Sequence, residues 1–178
     1  NKKMKDLNQI FPQLKDLGTN LNNLDGWALS IECFYWIYNN IEKGSNIIEI
    51  GSGPGTMELS KHFNTYSLEH QERFTKLAPK ANYILTELVD GWYEPEIVFN
   101  SLPEEYSLII VDGPPNLGQE KTRNNIKKYW DRFDTSVPII MDDTHRQDEY
   151  EFAIETAKEL NKEWTQYEGW QKNFIVLT

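Results

Sequence analysis

Asn46-Ile47-Ile48-Glu49-Ile50-Gly51-Ser52-Gly53-Pro54-Gly55-Thr56 is an apolar run, broken by one acid, that gives way to three alternating glycines. It reads as a strand, a tight turn and the start of a helix. Glycines at such a turn allow positive φ and let a ligand approach the main chain, while the following helix aims its unsatisfied N–H groups at that ligand. A cofactor site is expected here. The dinucleotide fingerprint G-x-G-x-x-G places its third glycine one position later than this chain does. A glycine turn alone is also compatible, though less so, with a strand–helix junction that binds nothing.

Downstream of that turn, short apolar runs at residues 66–69, 82–86, 107–112 and 138–142 recur between helical patterns, the signature of parallel β-α-β units. The near-continuous apolar stretches Leu108-Ile109-Ile110-Val111 and Ile139-Ile140-Met141 suit strands covered on both faces. Residues 164–167 and 173–177 flank Gly169 with no room for a helix, so they are expected to form an antiparallel hairpin. The fold class expected is α/β, a doubly wound, mostly parallel sheet that ends in this hairpin. An ordinary flavodoxin-like or dinucleotide fold has no need of the hairpin. Upstream, Trp27, Ile31, Phe34, Tyr38 and Ile41 recur at helical spacing and predict an amphipathic helix with its aromatics in the core. Residues 1–23 are mixed and Asn-rich, and read as an N-terminal extension or cap, leaving residues 24–178 as the domain.

Composition narrows the classes of function. The chain has 178 residues, 39% hydrophobic and 26% charged, which fits one soluble globular domain with a sizeable core. A net charge of −10 argues against nucleic acid as a partner, because a phosphate backbone is met by a basic face. Cys33 is the only cysteine, which excludes an intrachain disulfide and a four-cysteine zinc site. No stretch approaches the roughly 18 apolar residues of a membrane span, and a cytoplasmic location is expected.

The form E-x-G-x-G-x-G, from Glu49 to Gly55, resembles motif I of the class I S-adenosylmethionine (SAM) dependent methyltransferases. That resemblance implies SAM rather than NAD, with Glu49 facing the methionine ammonium and Gly51, Ser52, Gly53, Gly55 and Thr56 beside the cofactor. Five parallel strands followed by a hairpin are likewise similar to the seven-stranded sheet of that family, with its reversed last strand. Glu69 ends the second expected strand, 18 positions after Gly51 and just before His70. An acid at about that separation is placed to accept hydrogen bonds from both ribose hydroxyls of an adenosine cofactor. Glu69 and His70 are therefore candidate cofactor residues. The region Thr86-Glu87-Leu88-Val89-Asp90-Gly91-Trp92-Tyr93 corresponds to one that contributes to the adenine pocket in related enzymes. Its Trp92 and Tyr93 read at least equally well as packing residues.

Two more strand ends carry chemistry. Val111-Asp112-Gly113-Pro114-Pro115 and Met141-Asp142-Asp143-Thr144-His145-Arg146 emerge at the carboxyl edge of the sheet, on the side of the glycine turn. Three carboxylates converging there repel one another unless one is protonated or a cation is bound. The pattern resembles metal-dependent O-methyltransferases of the catechol and sugar type. That resemblance implies Asp112, Asp142 and Asp143 as ligands of Mg²⁺, a hard ion suited to carboxylate oxygens. Two readings stay open: a metal site, or Asp112 contacting cofactor or substrate while Asp142 and Asp143 cap the following helix.

His145, three residues after Asp142, is the candidate proton acceptor because its ordinary pKa lies near neutrality, with Asp112 as the second catalytic candidate. The lysine or aspartate base used in such families has no match at Gly113, Pro114 and Pro115. Arg123 and Arg146 are candidates for anchoring an anionic substrate, although each taken singly reads first as a surface ion-pair partner of acids such as Asp148 and Glu149. His62 reads as a surface residue, and residues 118–130 as a loop and helix on the substrate side. The expected activity is O-methylation of a small molecule, with SAM and, on the metal reading, Mg²⁺. The alternatives are a metal-independent N-methyltransferase, an aminopropyltransferase-like enzyme, and a SAM-binding module without catalysis.

Overall fold

The run that opens at Asn46 is a strand, β1 (Asn46–Ile50), in a computed structural model that describes residue 14, residues 16–117 and residues 121–178. Residues 1–13 and 15 of the expected N-terminal extension, and Gly118 to Glu120 of the expected substrate-side loop, lie outside the described residues. After β1 come β2 (Asn64–Glu69), β3 (Asn82–Leu85), β4 (Leu88–Val89), β5 (Trp92–Tyr93) and β6 (Ile109–Val111). β7 (Ile139–Met141), β8 (Trp164–Glu168) and β9 (Asn173–Leu177) complete the strands. Seven of them form one sheet in the order β3-β2-β1-β6-β7-β9-β8. Pairing is parallel from β3 through β7 and antiparallel where β9 joins β7 and β8. The α/β sheet with a reversed C-terminal hairpin is thus present.

Alternation along the central strands builds two cores. Ile48, Ile50, Ile109, Val111, Ile139, Met141, Ile175 and Leu177 point to one face. Ile47, Leu108, Ile110, Ile140, Phe174 and Val176 point to the other. Each buried aliphatic side chain contributes roughly 1.5–3 kcal/mol relative to exposure, so a strand covered on both faces is strongly fixed in register. The second face is covered by α1 (Ile31–Asn40) and α2 (Gly55–His62), with Leu14 and Leu24 completing that layer. α3 (Pro95–Ser101), the 3-10 helix Thr122–Arg132 and α4 (Gln147–Glu159) supply side chains to the first.

Two expectations are corrected. The helical spacing from Trp27 does not start a helix there: Ser30 Oγ accepts from the Cys33 N–H and caps α1 at Ile31. Trp27 instead follows Asp25 and Gly26, both at positive φ, and its side chain is 92% exposed. His62 is half-buried rather than a free surface group: its ring meets Phe34 and Tyr38 edge-on, and burial lowers its pKa. The region after β3 is a second, two-stranded sheet in which Asp90 and Gly91, both at positive φ, turn β4 into β5. That turn buries Trp92 and Tyr93.

Candidate active site

At the carboxyl edge of the sheet the strand ends enclose a cleft of about 700 Å³. Its walls include the glycine turn (Gly51, Ser52, Gly53, Pro54), the end of β2 (Glu69, His70, Gln71) and the end of β6 (Asp112, Pro114, Pro115, Asn116). Asp143, Arg146, Arg123 and Lys172 also line it, as do Phe74, Leu77 and, at its solvent-exposed rim, Trp27. A volume of this size suits a ligand as large as a nucleoside cofactor together with a small substrate.

The three glycines serve different ends. Gly51, at φ +96°, has the Asp112 carbonyl where a Cβ would lie 2.9 Å away, so it lets the ends of β1 and β6 close on each other. Gly53 faces open space, and Gly55 packs against Leu29 where α2 meets the chain before α1. Of the three, only Gly51 adopts positive φ. Gly53 is the position at which a ligand can approach the main chain.

Glu69 is held from three sides. Ser52 Oγ donates to its Oε1 at 2.5 Å, and the His70 and Gln71 N–H groups donate to Oε2 at 2.8 Å each. The carboxylate therefore faces the cleft in one orientation, able to accept further hydrogen bonds. Glu49 behaves otherwise. Its Oε1 accepts from Thr56 Oγ1 at 2.6 Å and from Ser67 Oγ at 2.7 Å, beneath the turn. Burial pushes its pKa up to about 7, against these two hydrogen bonds that favour the charged form and with a further push from the Glu69 charge. Glu49, Gly55 and Thr56 do not line the cleft, whereas Gly51, Ser52, Gly53, Glu69, His70 and Asp112 do.

The expected acid cluster is present, and so is its compensation. Asp112, Asp142 and Asp143 each offer an oxygen within 4.8 Å of the others. Arg123 Nη2 lies 3.1 Å from Asp112 Oδ1 and 2.6 Å from Asp143 Oδ2, and Arg123 Nη1 donates to the Asp142 carbonyl at 3.3 Å. Lys172 Nζ lies 2.8 Å from Asp142 Oδ2 and 3.5 Å from Asp143 Oδ1. Burial alone would lower the pKa of both cations, but the surrounding carboxylates raise them above their ordinary values. Burial would raise Asp143, yet Arg123 and then Lys172 hold it down at about 2. Asp112 moves the other way: burial and then the Asp142 charge push its pKa well above the usual carboxylate range, beyond what Arg123 and Lys172 recover.

These contacts correct the sequence reading at four residues. Arg123 is no surface partner; it is 8% exposed and central to the cluster. Asp142 and Asp143 do not cap α4, whose N-cap is Arg146 without a side-chain cap. The structure does not bring His145 to the cleft: the side chain is exposed and Nδ1 accepts from the Asn173 N–H at 3.4 Å. Lys172 was missed altogether. It precedes β9, and because β9 runs antiparallel to β7, with Met141 opposite Ile175, the residues just before it arrive beside Asp142 and Asp143. The turn is anchored by the Trp170 N–H on Glu32 Oε1 at 2.9 Å and by the Gly26 N–H on Gln171 Oε1 at 2.8 Å.

The residues present fit SAM. Glu69 offers oriented acceptors, Gly53 offers open backbone, and the cleft has the volume. They do not fit Mg²⁺, because two buried monocations already lie against the oxygens that would be its ligands and a divalent ion there would be repelled by both.

No protein-family model and no curated protein matches the chain. Solved structures do resemble it. A methyltransferase from Pyrococcus furiosus is similar over 83% of this chain and 81% of its own, with a TM-score of 0.56 and 14% identity. A Staphylococcus aureus protein described as a caffeoyl-CoA O-methyltransferase is similar over 99% and 93%, with a TM-score of 0.58 and 12% identity. The S-adenosylhomocysteine-bound Podospora anserina methyltransferase PaMTH1 is similar over 97% and 88%, with a TM-score of 0.53 and 13% identity. With its sheet order and reversed last strand, the chain has the Rossmann-like fold of these methyltransferases.

Proposed function

We propose that this protein is a SAM-dependent methyltransferase acting on an oxygen of a small molecule. The observation that carries the proposal is Glu69, oriented into the cleft by Ser52 of the glycine turn and by the two N–H groups that follow β2. That pairing joins the turn to an acid suited to a ribose diol. S-adenosylhomocysteine in the PaMTH1 structure supports the same cofactor for a similar fold.

SAM, when bound, supplies a methyl group already activated by a positively charged sulfur. What remains for the chain is position and a proton acceptor. Asp112 lines the cleft, and its raised pKa makes it a stronger base than an ordinary carboxylate. It takes the role of proton acceptor in this proposal, since His145 lies away from the cleft. Arg123, Arg146 and Lys172 present cationic groups to the acceptor side. Magnesium has no part in the proposal.

The acceptor is a small molecule, with neither nucleic acid nor membrane as partner, in keeping with the net charge of −10. Among the described residues no helix is long and apolar enough to cross a membrane. A cytoplasmic location belongs to the same proposal. Calorimetry with S-adenosylhomocysteine tests the reading: micromolar-range binding supports it, and binding of NADH in its place overturns it.

A further inference from the structure

We infer that Lys172 and Arg123 are built-in counterparts of a divalent cation: their side chains hold Asp112, Asp142 and Asp143 together, and the cleft has no metal site for as long as Lys172 is there. The inference rests on the methyltransferase reading only for what the cleft does, since its own evidence is geometric. Three acidic oxygens within 4.8 Å of one another form the donor set a divalent ion would use. Lys172 Nζ at 2.8 Å from Asp142 and 3.5 Å from Asp143 lies against that set from one side, and Arg123 Nη2 bridges Asp112 and Asp143 from another.

Two further observations separate this arrangement from an incidental ion pair. Lys172 lines the cleft and its side chain is only 5% exposed, held by a hairpin turn that is itself anchored on Glu32 and Gly26. Asp142 Oδ1 is buried without a hydrogen-bond partner among the described residues, so the cluster keeps an unused donor atom beside the oxygen that Lys172 occupies. Removing the ammonium therefore leaves a carboxylate with two free oxygens next to Asp112 and Asp143. Lys172 is a positioning residue on this account, setting the acid cluster in place as a metal would.

Mn²⁺ binding, followed by electron paramagnetic resonance and independent of any activity, tests the inference on the wild-type chain, Lys172→Met and Lys172→Arg. The wild type and Lys172→Arg are expected to leave the free-ion signal unchanged. Lys172→Met is expected to gain a stoichiometric Mn²⁺ site at least about tenfold tighter than any wild-type binding, a gain that a merely structural lysine would not give. Lys172→Gln, a polar side chain that removes the positive charge, replaces Lys172→Met if the latter does not fold. Stoichiometric Mn²⁺ on the wild type overturns the inference. So does failure of a folded methionine or glutamine variant to gain a site. Binding of S-adenosylhomocysteine to the wild type is read in parallel, so failure of the methyltransferase reading is distinguishable from failure of this one.

Discussion

Lys172 Nζ lies 2.8 Å from Asp142 Oδ2, with side-chain exposures of 5% and 0%, although thirty positions separate the two residues. Such a pair is weak evidence for net stability, because desolvation of both ions offsets their attraction, but removing one partner strands the other. Lys172→Met should lower stability by about 3–5 kcal/mol, and adding Asp142→Asn should restore a large part of that. Urea unfolding of the two single variants and the double variant measures this. Additive losses would contradict the pairing.

Glu49 makes stability depend on pH in an unusual direction. Its folded pKa of about 7 exceeds the ordinary value of 4.5, so folding takes up a proton between those values. Stability from this group is full below about pH 4.5 and falls as pH rises through 7, by about 3 kcal/mol in total. Glu49→Gln keeps an oxygen for the Thr56 and Ser67 hydroxyls and removes the charge. It should therefore be more stable than the wild type at pH 8 and lack that loss, as followed by thermal unfolding across pH. An unchanged pH profile would place the Glu49 pKa near its ordinary value.

Asp112 is expected to govern the acid limb of methyl transfer. Its carboxyl must be ionised to accept a proton, and burial with the Asp142 charge raises its pKa, so kcat/KM should climb with pH to a plateau reached above the usual carboxylate range. Asp112→Asn should lower kcat by about 10²-fold or more while S-adenosylhomocysteine still binds. A variant with unchanged kcat would remove Asp112 from the proposed mechanism.

Trp27 stands 92% exposed on the rim of the cleft, tethered through the neighbouring Gly26 N–H to Gln171. Because it packs little in the free protein, Trp27→Ala should change unfolding free energy by less than about 0.5 kcal/mol. Ligand affinity should drop about tenfold, since an aromatic rim side chain gains burial only when the cleft is filled. Denaturation and calorimetry on the same variant separate the two effects.

The strands were legible because their cause is local. Ile47 to Ile50, Leu108 to Val111 and Ile139 to Met141 are short runs rich in isoleucine and valine, broken only by Glu49, and burial on both faces follows from that chemistry. The β4–β5 hairpin was not read, although Asp90-Gly91 between Leu88-Val89 and Trp92-Tyr93 is a two-residue turn signal. Trp27 misled because helical spacing continues through it, while the Ser30 cap that stops the helix short is a single residue. Converging carboxylates could be read from strand ends, but their counter-ions could not. Arg123 comes from the 3-10 helix before β7, and Lys172 from a turn whose placement depends on β9 running backwards. A reversed last strand brings its first residues to the carboxyl edge, and that rule would have pointed to Lys172.

Calorimetric titration of the wild-type chain and Glu69→Ala with S-adenosylhomocysteine, with NADH as the competing ligand, tests the central claim most directly. The account predicts one S-adenosylhomocysteine per chain with micromolar-range affinity, weakened at least about tenfold by Glu69→Ala, and no NADH binding. NADH binding without S-adenosylhomocysteine, or affinity indifferent to Glu69, would contradict it.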